Sequence, residues 1–307
     1  MRPDSGAQDM RKAIALALIT LFLFPLVGAD TRAPDESREV RGGHAILLEQ
    51  YTATWCDTCA TTDPWVSEFA EDHSGRVYRV ALHPNDHDPF GSPLTNQRLA
   101  LKQAEHQIPL PTFWFDGEGE LQGQVSQSLL QNGLRAAEAE RDDWIGMRMW
   151  WDTWENQPHD DVQQLAIHIE ENIPENASIT VFRLESLEMT SEIAYNGIDV
   201  HHDVATQMIT FDREGVVLDS FEGDYGWTVA NGNPYREGGI PVFILETHGE
   251  LDGFVTVIEE NGEVRSVIGI SNESMLRNPE IDSQFALIML LGALVASVLL
   301  VREGRIQ

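Results

Sequence analysis

The spacing of apolar residues changes about halfway along the chain. Through residue 140, apolar side chains recur in short runs or at helical intervals, which predicts strands alternating with helices. From residue 161 to residue 270, apolar and polar positions alternate, and turn residues such as Asn196-Gly197 separate the runs. The pattern therefore predicts an α/β domain followed by an all-β domain.

The first half is predicted to follow the order β, α, β, α, β, β, with a further helix after it. Strands are predicted over residues 44–54 and 76–83 and a helix over 94–106; the last two strands of this order are what a family resemblance, given below, implies for residues 108–117. The last helix carries Leu129, Leu130, Leu134 and Ala137 on one face and is predicted to continue through Trp144, Met147, Trp151 and Trp154. We interpret this stripe as a packed helix face that bridges the two domains.

Seven short strands are predicted in the second half. They cover residues 162–170, 178–187, 204–211, 216–221, 240–246, 254–259 and 264–270. This number of short alternating strands is typical of an immunoglobulin-like β-sandwich. Nothing in this half suggests catalysis, so we expect it to space, dock or present other proteins.

The chain has only two cysteines, Cys56 and Cys59, in a C-x-x-C motif. Such a motif can be a redox dithiol, half of a zinc site or a haem attachment site. Haem attachment needs a histidine next, but residue 60 is Ala, and no second ligand pair with zinc-site spacing follows. The pattern therefore favours redox chemistry.

Cys56 is predicted to lie where a strand turns into a helix. Val66, Phe69 and Ala70 recur at helical spacing after it. A helix N-terminus stabilises an anion, and a thiolate is such an anion. Cys59 falls one turn later and could resolve a mixed disulfide formed at Cys56.

The residues around this motif resemble the thioredoxin superfamily. Trp55 precedes the first cysteine, and Pro64 follows the second where thioredoxins kink the active-site helix. Residues 108–117 are similar to the thioredoxin cis-proline loop. The resemblance implies that Pro111 is a cis residue facing the dithiol. It also implies that Trp55 and Pro111 border a groove in which the backbone around Leu110 pairs with an extended client.

The sequence of residues 83–91 resembles the corresponding segment of secreted, envelope-associated thioredoxin-like proteins that carry a β-sandwich after the thioredoxin domain. The expected fold is thus an α/β thioredoxin-like domain followed by an all-β immunoglobulin-like sandwich. The predicted segments are a signal peptide (1–29), a linker (30–42), a thioredoxin-like domain (43–155), a sandwich (160–272), a transmembrane helix (284–301) and a cytoplasmic tail (302–307).

Two positions depart from the thioredoxin pattern. Thioredoxins place a buried carboxylate six residues before the first cysteine, but this chain has Gln50 there, with Glu49 beside it. Neighbouring strand side chains point to opposite faces, so Glu49 is not a simple substitute. Asp57-Thr58 also replaces the Gly-Pro of thioredoxin, and a nearby carboxylate opposes a thiolate. The direction of electron flow stays open.

Both ends of the chain predict an extracytoplasmic protein with a single membrane anchor. The N-terminus has the basic, apolar and small-residue order of a secretory signal, with an uncleaved signal anchor as the alternative. Residues 285–301 carry no charge, and Arg302 and Arg305 follow them, which places the tail in the cytoplasm.

The composition is strongly acidic, with a formal net charge of −30 and Lys12 and Lys102 as the only lysines. Such a surface excludes nucleic-acid binding and suggests a saline setting. His83, His87, His201 and His202 are candidates for a copper site with the dithiol, although a solvent-facing or turn-capping role is favoured for His83 and His87.

The sequence as a whole predicts a membrane-anchored thiol–disulfide oxidoreductase that acts on protein clients through Cys56 and Cys59. It needs no metal or organic cofactor, and an unidentified membrane partner would supply or accept electrons. The alternatives are a redox-inactive binding module on the cell surface and, less favoured, a copper chaperone.

Overall fold

The computed structural model describes residues 34–102, 108–155, 161–189, 195–223, 226–230, 242–272 and 274. Strands hold 48% of these residues and helices 19%. The predicted signal, transmembrane and tail segments lie outside the described residues. Within the described ranges, no helix has the length and apolar character needed to cross a membrane.

Three helices and fourteen strands make up the described part of the chain. In the first half these are β1 (Glu36–Gly42), β2 (Ile46–Tyr51), α1 (Asp57–Asp72), β3 (Val77–Leu82), α2 (Pro93–Leu101), β4 (Thr112–Phe115), β5 (Glu118–Gln122), α3 (Gln127–Glu140) and β6 (Met147–Trp154). In the second half they are β7 (Val162–Ile169), β8 (Ala177–Glu188), β9 (Val200–Asp212), β10 (Val217–Phe221), β11 (Thr228–Ala230), β12 (Val242–His248), β13 (Gly253–Glu260) and β14 (Glu263–Ser271).

The strands of the described residues form two sheets, and both halves of the chain contribute to each. The smaller sheet has the order β1-β6-β7-β12-β11. The larger has the order β14-β13-β8-β9-β3-β2-β4-β5, with β10 beside β9. The halves meet in the larger sheet where β3 pairs in parallel with β9, through Ala81 and Val204.

The sheets and helices stack in layers, which explains why several strands are buried on both faces. Ile179 and Val181 of β8 pack in a cluster with the smaller sheet, whereas Phe182 packs in a cluster with β2 and β3. Leu48 of β2 belongs to a third cluster, which also contains side chains of α1 and α3. A strand covered on both faces is buried along almost its whole length, as β2 and β13 are.

The predicted fold class, an α/β thioredoxin-like domain followed by an immunoglobulin-like sandwich, is wrong. The described chain is mostly β-sheet, and its two predicted domains share strands in both sheets. The physical reason is that β3 offers an open edge and a second apolar face, which β9 and its neighbours cover. The seven strands predicted in the second half are all found, and so is the predicted local order from β2 to β5.

The predicted extension of the third helix is also wrong. The helix α3 ends at Glu140, and residues Met147–Trp154 form strand β6. Met147, Met149 and Trp151 are buried at every second position. This period of two is present in the sequence, but the three-and-four spacing of the larger aromatic residues conceals it. The predicted linker likewise contains β1, which pairs with β6.

Candidate disulfide site

The two cysteines form a disulfide at the start of α1, as the strand-to-helix pattern predicts. The Cys56 and Cys59 sulfurs are bonded at 2.11 Å, with Cα atoms 5.2 Å apart. Cys56 is the N-cap of α1, and its Sγ accepts a hydrogen bond from the Cys59 amide at 3.1 Å. Cys56 is 8% exposed and Cys59 is fully buried. A molecule in solution therefore reaches Cys56 first.

The proline loop lies against the disulfide. The Leu110–Pro111 peptide bond is cis, as the family resemblance implies. Leu110 is partly buried and packs against Cys56, Cys59 and Ala53. The turn before Cys56 presents Trp55, which is 46% exposed. The structure thus brings the dithiol and the proline loop together and leaves one large aromatic side chain in solvent.

A buried carboxylate lies near the dithiol, but it is Asp63 of α1, which the sequence analysis did not single out. Its oxygens accept hydrogen bonds from Gln50 Nε2 and Thr52 Oγ1, each at 2.6 Å. Arg79 Nε donates to Gln50 Oε1 at 2.7 Å and extends this network towards β9. Asp63 follows Cys59 by four residues, and side chains at that helical spacing are neighbours. That spacing is the signal that could have found it.

A second missed carboxylate, Asp88, holds the turn that precedes Cys56. Its Oδ2 accepts from the Thr54 amide at 2.7 Å, and its Oδ1 lies 3.1 Å from His83 Nδ1. Burial by itself raises the pKa of the Asp88 carboxyl, but His83 and the bound amides of Thr54 and Phe90 hold it below its usual value. Sequence spacing gives no signal for this contact, because 34 residues separate the partners.

The four candidate histidines do not form a metal site with the dithiol. His87 and His202 are exposed, whereas His83 and His201 are buried with ring centroids 5.3 Å apart. Of the two histidines for which a solvent-facing or turn-capping role is favoured, His87 is exposed, whereas His83 is buried against Asp88. Burial, and then the charge of His83, lowers the pKa of His201 to about 4. The described residues contain no group of three or more His, Cys, Asp or Glu side chains that could hold a metal ion.

The face of β2 opposite Gln50 carries a cluster of buried charged side chains that pair with one another. Glu49 is fully buried; Arg98 Nε lies 2.7 Å from its Oε1, and Lys102 pairs with its other oxygen. Arg98 Nη1 also reaches Glu259 of β13 at 3.1 Å. Burial raises the pKa of Glu49, but Arg98 and Lys102 outweigh it and bring the pKa to about 2. Glu49 therefore faces away from the dithiol, as the strand alternation predicts.

Comparisons with known proteins bear on the fold only. No protein-family model matches the chain, and no curated protein matches it. HBP35 of Porphyromonas gingivalis is similar in structure, with a TM-score of 0.52 and 14% identity over 74% of each chain. A structural-genomics protein of Agrobacterium tumefaciens has a TM-score of 0.47 and 10% identity, over 76% of this chain and 97% of that chain.

Proposed function

We propose that this chain is a thiol–disulfide oxidoreductase that acts on protein clients through Cys56 and Cys59. The observation that carries the proposal is the asymmetry of the pair. Cys56, the N-cap of α1, is 8% exposed, whereas Cys59, one turn along the helix, is fully buried. Exchange through a mixed disulfide suits such a pair, because the client reacts with the more exposed sulfur and the buried sulfur can then resolve the intermediate.

The oxidised site can take two electrons from a client dithiol. A client thiolate attacks Sγ of Cys56, which forms a mixed disulfide and releases Cys59 as a thiolate. The second client thiolate then attacks the client sulfur of the mixed disulfide and releases Cys56 as a thiolate. The client gains a disulfide, and the protein retains two electrons and takes up two protons from solvent. The same steps in reverse reduce a client disulfide.

Local structure supports Cys56 as the attacked and attacking sulfur. The Cys59 amide donates to Cys56 Sγ at 3.1 Å, and the same donor would stabilise a thiolate there. Leu110, which precedes the cis Pro111, packs against the two cysteines, and Trp55, the residue before Cys56, is exposed. We propose that these three residues contact the client. The disulfide itself carries the electrons, so the reaction needs neither a metal nor an organic cofactor.

The ends of the chain support an extracytoplasmic location with a single C-terminal anchor. An oxidising compartment outside the cytoplasm is where protein disulfides form and exchange. Turnover then requires a redox partner, and an anchored enzyme would meet one in the same membrane. This membrane electron donor or acceptor, like the anchor itself, is part of the proposal.

Trapping tests the function directly. In a Cys59→Ser variant, a mixed disulfide at Cys56 has no internal thiol to resolve it, so client proteins should accumulate as covalent adducts that reductant releases. The matched Cys56→Ser variant, which keeps the buried cysteine, should accumulate none. Equal adduct levels in the two variants, or none in either, would contradict the proposal and favour a redox-inactive binding module. Copper retained by the wild type and lost in Cys59→Ser would instead favour a copper carrier.

A further inference from the structure

The connection between β8 and β9 reaches the dithiol from the second half of the chain. Asn196 Nδ2 donates to the Ala53 carbonyl at 3.3 Å. The same carbonyl accepts the backbone amide of Cys56 at 3.2 Å. Ala53 also packs in one apolar cluster with both cysteines and Leu110. Asn196 therefore lies directly against the turn that presents the reactive sulfur.

This part of the connection is held in a defined turn. Asn196 Oδ1 accepts from the Ile198 amide at 3.1 Å, and Gly197 has a φ of +78°, which a glycine adopts without strain. Below the turn, the Met189 amide donates to the Asp199 carbonyl at 2.7 Å. The turn can thus present a side chain to a ligand at a small cost in conformational entropy.

The side chain that this turn presents is an aromatic ring. Tyr195 is 78% exposed and precedes Asn196, so about 3.8 Å of backbone separates their Cα atoms. Trp55 is 46% exposed and lies two residues after Ala53. One carbonyl thus links two chain segments, and each segment carries an exposed aromatic residue within two positions of that contact. Exposed Trp and Tyr side chains are the residue types that most often carry binding energy at protein interfaces.

We propose that Tyr195 is a specificity-determining residue that binds the client polypeptide opposite Leu110 and Pro111. Its partner is a segment beside the client's reactive cysteine that carries an aromatic or large apolar side chain. Trp55 and Tyr195 contact this segment while the client sulfur reacts with Cys56. The inference deepens the proposed function and rests on it. It also assigns a role to the second half of the chain, which supplies one wall of the client site.

The test compares exchange with a peptide and with a small reagent. The purified, oxidised full-length protein is mixed either with reduced dithiothreitol or with a dithiol peptide that has a phenylalanine beside its first cysteine. We expect a Tyr195→Ala variant to oxidise the peptide about five- to tenfold more slowly, the equivalent of roughly 1 kcal/mol. Its rate with dithiothreitol should be unchanged. A Tyr195→Phe variant should retain the peptide rate.

The matched control is Trp144→Ala, which removes an aromatic side chain that is 48% exposed and packs against His44 instead. It should change neither rate. Equal peptide rates for the wild type and Tyr195→Ala would overturn the inference and leave the proposed function intact. An equal fall in both rates would show that Tyr195 only supports the turn, which also overturns it. If the wild type exchanges with neither reagent, the proposed function fails and the inference with it.

Discussion

Glu49 and Gln50 are neighbours on β2, yet their side chains enter two different environments. Glu49 joins a buried ion cluster with Arg98 and Lys102 that extends to β13. Gln50 joins Asp63 and leads to the helix that carries the disulfide. Side chains on the two faces of a single strand thus have two different roles. One face holds the layers of the fold together, and the other supports the helix that carries the disulfide.

The two faces of β2 also differ in whether the side chains that they support lead to the protein surface. The ion cluster connects β2, α2 and β13, and its charged groups find their partners inside the protein. The dithiol face leads to the surface, where Trp55 is 46% exposed and Cys56, at 8%, is the more exposed of the two cysteines. We therefore expect changes on the cluster face to alter stability and changes on the dithiol face to alter reactivity.

The largest expected effect is on the cluster face. An Arg98→Met variant leaves Glu49 with only Lys102, and it removes the cation that pairs with Glu259. Breaking a buried ion pair in this way costs about 3–5 kcal/mol of unfolding free energy. Denaturant unfolding should show this loss, and the exchange rate of the remaining folded protein should be unchanged.

The control for this variant is Arg213→Met, because Arg213 pairs with Glu214 at the surface. Surface ion pairs contribute about 0–1 kcal/mol, so its unfolding should resemble the wild type. A similar loss of stability in both variants would show that the cluster is not what joins the layers.

The pH dependence of stability should distinguish the two faces. The His201 side chain faces His83, Asp88, Arg79 and His202. Its pKa falls from 6.5 in the unfolded chain to about 4 in the folded protein. The unfolded chain therefore binds a proton first, and the contribution of His201 to the unfolding free energy should decrease by roughly 3 kcal/mol as the pH falls from 6.5 to 4, whereas Asp116, whose pKa folding raises to about 6, contributes in the opposite direction.

The pKa of Glu49 falls from 4.5 to about 2 on folding, so its contribution is present above pH 4.5 and is lost only as the pH approaches 2. Urea unfolding of a His201→Asn variant should lack the decrease between pH 6.5 and 4. A His87→Asn variant changes an exposed histidine and should retain it. If His201→Asn unfolds with the wild-type pH profile, the buried histidine pair is not responsible.

A smaller effect is expected for the charge of Asp63. Side chains four residues apart on a helix lie about 5–6 Å from each other at Cβ, so the Asp63 carboxylate opposes a thiolate at Cys59. An Asp63→Asn variant keeps the shape and should favour the reduced form, which raises the reduction potential by tens of millivolts. Equilibration with a glutathione buffer measures this shift. Glu49→Gln, on the opposite face, should leave the potential unchanged, and an equal shift in both variants would contradict the separation of the faces.

Sequence patterns reveal the elements of this molecule that depend on neighbouring residues. The strand-to-helix turn at Cys56 and the short strands of the second half follow from local periodicity. The family resemblance correctly implies the cis bond at Pro111. Each of these features is encoded within a few residues, so one sequence suffices to predict it.

Features that depend on distant pairing escape such an analysis. The fold-class prediction fails because β3 takes β9 as a neighbour, and no local pattern shows which edge a strand will meet. Asn196 donates a hydrogen bond to the Ala53 carbonyl, although the two residues are 143 positions apart in the sequence. The spacing of residues in the sequence predicts neither contact, because both depend on how the layers stack in the folded protein.

The most direct test of the account is the reactivity of the two cysteines after reduction. The reduced protein is treated with iodoacetamide at pH 6.5, and the alkylation rate of each cysteine is measured by mass spectrometry of its peptide. The account predicts that Cys56 reacts at least tenfold faster than Cys59, because Cys56 is the more exposed of the two and the Cys59 amide would stabilise its thiolate. Equal, slow alkylation of both cysteines would contradict the assignment of the dithiol face to chemistry.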